Sequence, residues 1–219
     1  MITLEDVIKN EEVQAFINGA EKQIKALGYT EHSHRHIGIV SKRTGEILEK
    51  LGFDERTIEL GKIAGYLHDI GNVINRTDHA HSGAILSYQI LKSMNMPLEE
   101  ITEIISAIGN HDEKTGTAVS AISAALILAD KSDAHRERVT NTNMSTFDIH
   151  DRVNYAVTNS ELEVNAKEKK IVLKLTIDTQ ICPVLDYFQI FMERTMMSKY
   201  AAKYLQVWFE LVINGTKLL

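Results

Sequence analysis

A chain of 219 residues with 44% apolar and 25% charged side chains is ordinary for a globular protein, long enough for one large domain or a domain with an elaboration. Its net charge of −6 argues against duplex nucleic acid as a main partner, since phosphate backbones call for a basic surface, but leaves room for a nucleotide in a local basic pocket. The single cysteine, Cys182, excludes an intrachain disulfide framework, and no apolar stretch approaches the roughly 20 residues of a membrane span.

Taken in chain order, the first half reads as helices. Residues 4–27 carry an apolar stripe through Leu4, Val7, Ile8, Val13, Phe16, Ile17 and Ile24, with Thr3 placed to cap it and Gly28 to end it. Residues 34–51 repeat the pattern up to Gly52. Residues 55–70 follow, with Gly61, Ala64 and Gly65 small enough for close helix approach. Further helices are expected over 81–94, over 97–110 behind Pro97, and over 120–132, which is Ala-rich and therefore central.

The character changes after residue 140. Residues 141–146 are polar and turn-like, so the division expected is 1–140 and 141–219. A short helix near 148–158 precedes two alternating segments, 161–166 and 171–177, the second with Ile171, Leu173, Leu175 and Ile177 on one face. They read as a hairpin around Lys167–Lys170. A long helix from Pro183 to Ile213, ended by Asn214-Gly215, is expected to cover the hairpin. Met196, Met197, Tyr200, Tyr204, Val207 and Trp208 give that helix a docking face, on the chain's own core or on a second copy in a homodimer.

The chemistry concentrates around His68-Asp69. The apolar run Ala64-Gly-Tyr-Leu-His-Asp-Ile-Gly71 delivers two adjacent metal-type ligands. His36 lies upstream; His81, His111 and Asp130 lie downstream. Imidazole and carboxylate together suit Mn, Fe, Co, Ni, Zn or Mg, whereas a copper(I) site would want several sulfur ligands. On an ideal helix adjacent side chains diverge by about 100°, so His68 and Asp69 can share a site only at a helix end or with the aspartate bridging two ions. The alternative is a helix C-terminus, with His68 meeting the dipole. Asp130 sits in the apolar run Ala124-Ala-Leu-Ile-Leu-Ala-Asp, where a carboxylate is costly to bury unless metal-bound or paired, for example with Lys131.

His36-x-x-x-Val40, Leu67-His-Asp-Ile-Gly71 and Leu128-Ala-Asp-Lys131 together resemble the HD superfamily of metal-dependent phosphohydrolases, over residues 32 to 136. The resemblance implies a mainly α-helical HD bundle, here with a C-terminal β-hairpin and long helix. It implies His36, His68, Asp69 and Asp130 as ligands, with Asp69 bridging. His32 and His34 compete with His36, and His32-Ser33 is similar to the family's frequent upstream His-Asp pair. His81 in His-Ser-Gly-Ala and His111 in Asn-His-Asp-Glu look like the branch with a second ion, although the register at His81 is one residue short. Many relatives follow the motif with a lysine that meets phosphate; this chain has Asn72. Arg76, Lys131 or Arg136 must then supply the positive charge, and Arg136 stands where bacterial HD hydrolases of diadenosine tetraphosphate also carry an arginine.

The expectation is therefore a cytoplasmic hydrolase with two divalent ions. It would act by metal-activated water on a nucleotide or another small phosphate ester or anhydride. Asp69, with Asp112 or Glu113, would handle protons and ligation. The opening Met-Ile-Thr-Leu-Glu-Asp, with no basic-then-apolar secretion run, fits that location. Two alternatives use the same residues: a di-iron HD-fold oxygenase, and a non-catalytic nucleotide sensor with the hairpin as output.

Overall fold

The structure, a computed structural model, describes residues 1–28 and 34–219; the expectation for His32-Ser33 falls outside the described residues. Nine helices and four strands follow in order among them: α1 Leu4–Lys9, α2 Glu11–Ala26, α3 His34–Lys50, α4 Glu55–Leu67, α5 His79–Ser93, α6 Leu98–Gly109, α7 Ala121–Lys131, α8 Ile149–Ala156, β1 Val157–Asn165, β2 Lys170–Ile177, α9 Val184–Tyr204, β3 Trp208–Ile213 and β4 Thr216–Lys217. None of these helices is long and apolar enough to cross a membrane.

Helix α7 is the axis of the bundle. Every residue from Ile122 to Lys131 is buried, as its alanine and leucine content foretells, and α3, α4, α6 and α9 all pack on it. Helix α4 meets α3 along its Gly61–Gly65 side. The expected first helix is in fact two. Asn10 stops α1 and caps α2, its side chain accepting from the backbone N–H of Glu12 and Val13.

The C-terminal part departs further from expectation. The predicted hairpin is present as antiparallel β1 and β2, with β1 beginning earlier, at Val157. The long helix, however, ends at Tyr204, and Trp208–Ile213 forms a strand parallel to β2, pairing Ile171 with Phe209, Leu173 with Leu211 and Leu175 with Ile213. Trp-Phe-Glu-Leu-Val-Ile alternates, burying Phe209, Leu211 and Ile213, which is strand periodicity. Asn214-Gly215, both at positive φ (50° and 78°), is accordingly the two-residue turn between β3 and antiparallel β4, and not a helix terminus. The sheet order is β1-β2-β3-β4, with α9 as the crossover between the two parallel strands.

Between α4 and α5 the backbone passes through a short 3-10 turn, Ile70–Val73. Gly71 lies so close to the start of α5 that an added Cβ would stand 2.0 Å from the His79 carbonyl oxygen and 2.5 Å from the Gly83 nitrogen. Both neighbours are backbone and cannot swing aside. Gly71→Ala is expected to cost about 1–3 kcal/mol or more of stability, read as a lowered urea midpoint with unchanged slope. An unchanged midpoint would contradict the close approach.

Candidate metal centre

Five chain segments converge on one buried cluster. His36 comes from the first turn of α3. His68 caps α4, and Asp69 follows at φ −96°, ψ 3°, already out of the helix. That departure from helical geometry lets two adjacent side chains face one site. His79 opens α5, His111 follows the end of α6, and Asp130 comes from the last turn of α7. His36, His68, Asp69, His79, His111 and Asp130 are all buried.

The four imidazoles are oriented from behind. Nδ1 lies 2.8 Å from the Gly65 carbonyl in His68, 3.0 Å from that of Arg76 in His79 and 2.6 Å from that of Ile108 in His111. A carbonyl only accepts, so each Nδ1 must carry the proton, and in the neutral ring the lone pair sits on Nε2. Asp133 Oδ2 does the same for His36, 2.7 Å from Nδ1. The Nε2 atoms then meet in the middle. His36 Nε2 is 3.3 Å from Asp130 Oδ1, His68 Nε2 is 3.3 Å from Asp69 Oδ2, and His79 and His111 Nε2 are 3.4 and 3.9 Å from Asp69 Oδ1.

His79 and His111 bring Nε2 to within 3.1 Å of Nε2. With both Nδ1 atoms donating to carbonyls, this is a contact between two acceptors, which only a proton or a cation reconciles. Burial lowers the pKa of both rings, far below the ordinary value in His111, where His68 and His79 add repulsion. That disfavours the proton. Two nitrogens bound at about 2.1 Å to one ion stand near this separation. The donor set therefore fits divalent metal, and two overlapping groups have ligand atoms within 4.8 Å of one another: His36, His68 and Asp130, and His68, Asp69 and His111.

The charge balance agrees. Burial would raise the Asp130 carboxyl, but Lys131 and the neighbouring imidazoles outweigh it and hold the pKa well below the carboxylate range. For His68, burial opposes the charged form, yet Asp69 and Asp130 raise the pKa.

Not every expected residue lands here. His81 is exposed: two residues past His79 on α5, it points to another face, so His79 takes the place foreseen for it. The buried stripe His79, Gly83, Ser87, Ile90 and Leu91 was the signal that could have identified it. Lys131 is buried, with Nζ 2.6 Å from Asp130 Oδ2 and 3.2 Å from Glu113 Oε1, and so serves the protein's own carboxylates. Glu113 also binds Arg194 Nε at 2.6 Å; burial would raise its pKa, but the two cations drive it far below the ordinary range and keep it ionised. It cannot donate a proton near neutrality. Asp112 is half-buried, and its charge reaches His79.

Arg76 stands at the edge of the cluster, 3.7 Å from Asp69 Oδ1. Asn72, in place of the lysine, donates its amide to both the backbone oxygen and Oδ1 of Asp69 at 2.9 Å, holding that carboxylate. Arg136 instead lies over the Tyr155 ring, 5.2 Å from its centroid. Two residues on, Arg138 is buried, donates to the Asp133 carbonyl at 2.8 Å and lines a cavity of about 290 Å³ with Arg76, Glu113, Asp151, Asn154 and Arg194. Asp133, Arg138 and Arg194 are additions that sequence reasoning did not reach. Asp133 follows Asp130 by three residues, a usable signal; the Arg194–Glu113 pair is separated by 81 positions and leaves no local trace.

Residues 34–154 match the model of the HD domain family. The chain belongs to the HD domain family. It is also 27% identical over 157 residues to an uncharacterized protein of Methanocaldococcus jannaschii, covering 61% of this chain and 60% of that relative. The crystal structure of a protein described as a predicted HD superfamily hydrolase, from an uncultured Thermotogales bacterium, matches at 25% identity with a TM-score of 0.44, over 61% of this chain and 75% of that one. The HD segment of this chain thus supplies all six clustered side chains, and α9 lies outside it.

The geometry separates two neighbouring histidines by experiment. His79→Ala is expected to lower metal content on plasma emission analysis, and His81→Ala to leave it at the parent value. Asp133→Asn, which removes the carboxylate behind His36, should weaken metal retention about 10- to 100-fold in chelator competition. Equal loss in the two histidine variants would contradict this placement.

Proposed function

We propose that this HD protein is a divalent-metal-dependent phosphohydrolase acting on a nucleotide or another small phosphate ester or anhydride. The observation that carries the reading is the His79–His111 contact, two lone pairs held 3.1 Å apart in a buried site whose other members are carboxylates and imidazoles of the same orientation. His36, His68 and Asp130 would hold one ion, His79 and His111 a second, with Asp69 reaching both sets. When bound, such ions supply Lewis acidity and a water of lowered pKa.

The chain's own residues do the rest. Gly65, Arg76, Ile108 and Asp133 hold the four rings in the ligating tautomer. Asn72 and Arg76 fix the Asp69 carboxylate. Arg76 also lines the adjoining cavity, where a phosphoryl oxygen would receive its charge-assisted hydrogen bonds. Asp112, within electrostatic reach of His79, would take or return a proton.

The test is a metal and substrate panel on the full chain: Mn, Fe, Co, Ni, Zn and Mg against phosphomonoesters, phosphodiesters and nucleotides. Two ions per chain are expected, with His111→Ala retaining one. His68→Ala and Asp69→Ala should each lose metal and reduce hydrolysis at least about 100-fold. Full metal stoichiometry in a folded Asp69→Ala protein, or iron-bound protein that consumes oxygen and cleaves no phosphate ester, would overturn the reading.

A further inference from the structure

We infer that the outer face of α9 is a homodimer interface, on which a second copy of this chain packs its own α9 antiparallel about a twofold axis.

Helix α9 is apolar on two opposite faces. The inner one is the face a covering helix requires: Tyr187, Phe191, Met197, Ala201 and Ala202 are buried, and the helix packs on α7 and β3. The other looks outward. Leu185, Met192, Tyr200 and Tyr204 are between 48% and 76% exposed. With the half-buried Met196 they recur at intervals of four or seven residues, the spacing of one helix face. A helix that covers a single core keeps its outer face polar. An apolar stripe on that outer face, running along about 30 Å of helix, marks a contact surface.

Beside the stripe lies a groove of about 310 Å³, with Gly116, Thr117 and Ala118 on one wall and Met196 and Tyr200 on the other. The Tyr204 hydroxyl donates to the Val119 carbonyl at 3.0 Å and ties this loop to the end of the helix. The stripe therefore has a recess into which the side chains of a facing helix can pack.

Charge selects the occupant. Glu193 is exposed in the first half of α9, and Lys199 and Lys203 are exposed in the second. Among the described residues none of these three side chains makes an ion pair. A second copy laid parallel would set like charges together; laid antiparallel, it sets the acidic half of one helix against the basic half of the other. One register serves every group. Glu193 opposite Lys203, Met196 opposite Tyr200 and Met192 opposite Tyr204 are all centred on the level of residue 198, so a single twofold axis makes each of these pairs twice. The antiparallel arrangement also opposes the two helix dipoles.

The test is sedimentation velocity of the full chain across a wide range of concentration. The expected species has twice the 24.7 kDa mass of one chain. Tyr200→Glu, which places a charge in the stripe, should sediment as a monomer. Glu193→Lys and Lys203→Glu each set like charges together at two symmetric points and should weaken association at least about tenfold. The double reversal, Glu193→Lys with Lys203→Glu, should return it to within about threefold of the parent. Circular dichroism and metal content at parent values establish that the variants are folded. A parent that stays monomeric throughout, or a dimer as tight in Tyr200→Glu as in the parent, would overturn the interface. Single reversals that weaken the dimer without recovery in the double reversal would overturn the antiparallel pairing.

Discussion

The constraint on which the site depends is the fixing of four imidazoles in one tautomer. Three of them are tied to the carbonyl three residues earlier, which for His68 and His111 lies in the last turn of a helix and for His79 in the turn before α5. The rings cannot rotate or exchange protons without stranding a buried acceptor. The repulsion among inward-facing lone pairs and carboxylates is sustained by the packing of α7, whose buried alanines and leucines hold Asp130 in a layer that would otherwise exclude it. A bound cation relieves that repulsion, so ligation and folding are linked: whatever binds the native cluster and not the unfolded chain stabilises the fold.

The sequence made the segments of the cluster legible where chemistry and local structure coincide. His68-Asp69 ends an apolar helix, and Asp130 interrupts another; both are local conflicts between polarity and burial, and such conflicts mark functional positions. His36 and His111 could be placed from the family pattern. His81 could not be separated from His79 by motif alone, and there the periodicity of α5 was the better guide. Residues Trp208–Ile213 failed for another reason. They follow a helix without a proline, and Asn-Gly serves equally as a helix terminus and as a hairpin turn. Only the two-residue alternation, completed by pairing with β2 across the whole of α9, decides for a strand.

What stayed invisible is the wall around the cluster. Asp133, Arg138, Glu113 and Arg194 matter through contacts made over long sequence separations, and a charged residue carries no mark of the partner it will meet. The same contacts reassign roles. Lys131 and Glu113, read as substrate or proton-handling groups, pair with one another, Lys131 also with Asp130 and Glu113 also with Arg194, so they set the charge beside the cluster.

The C-terminal segment therefore does more than cover the bundle. Arg43 on α3 donates to Ser132 at the end of α7 and to the Ser160 carbonyl of β1, which fixes the sheet to the two helices that carry His36 and Asp130. Helix α9 starts and ends on that sheet, as the crossover between β2 and β3, while its middle packs on α7. The position of Arg194 along the cavity is consequently set by strand register. Because side chains alternate along a strand, a slip of one residue between β2 and β3 would turn Phe209, Leu211 and Ile213 out of the core, so the register is strongly specified by burial. The guanidinium that faces the cavity is thus placed by apolar residues remote from it. The HD segment holds all six clustered side chains, while the appended layer sets where Arg194 meets Glu113.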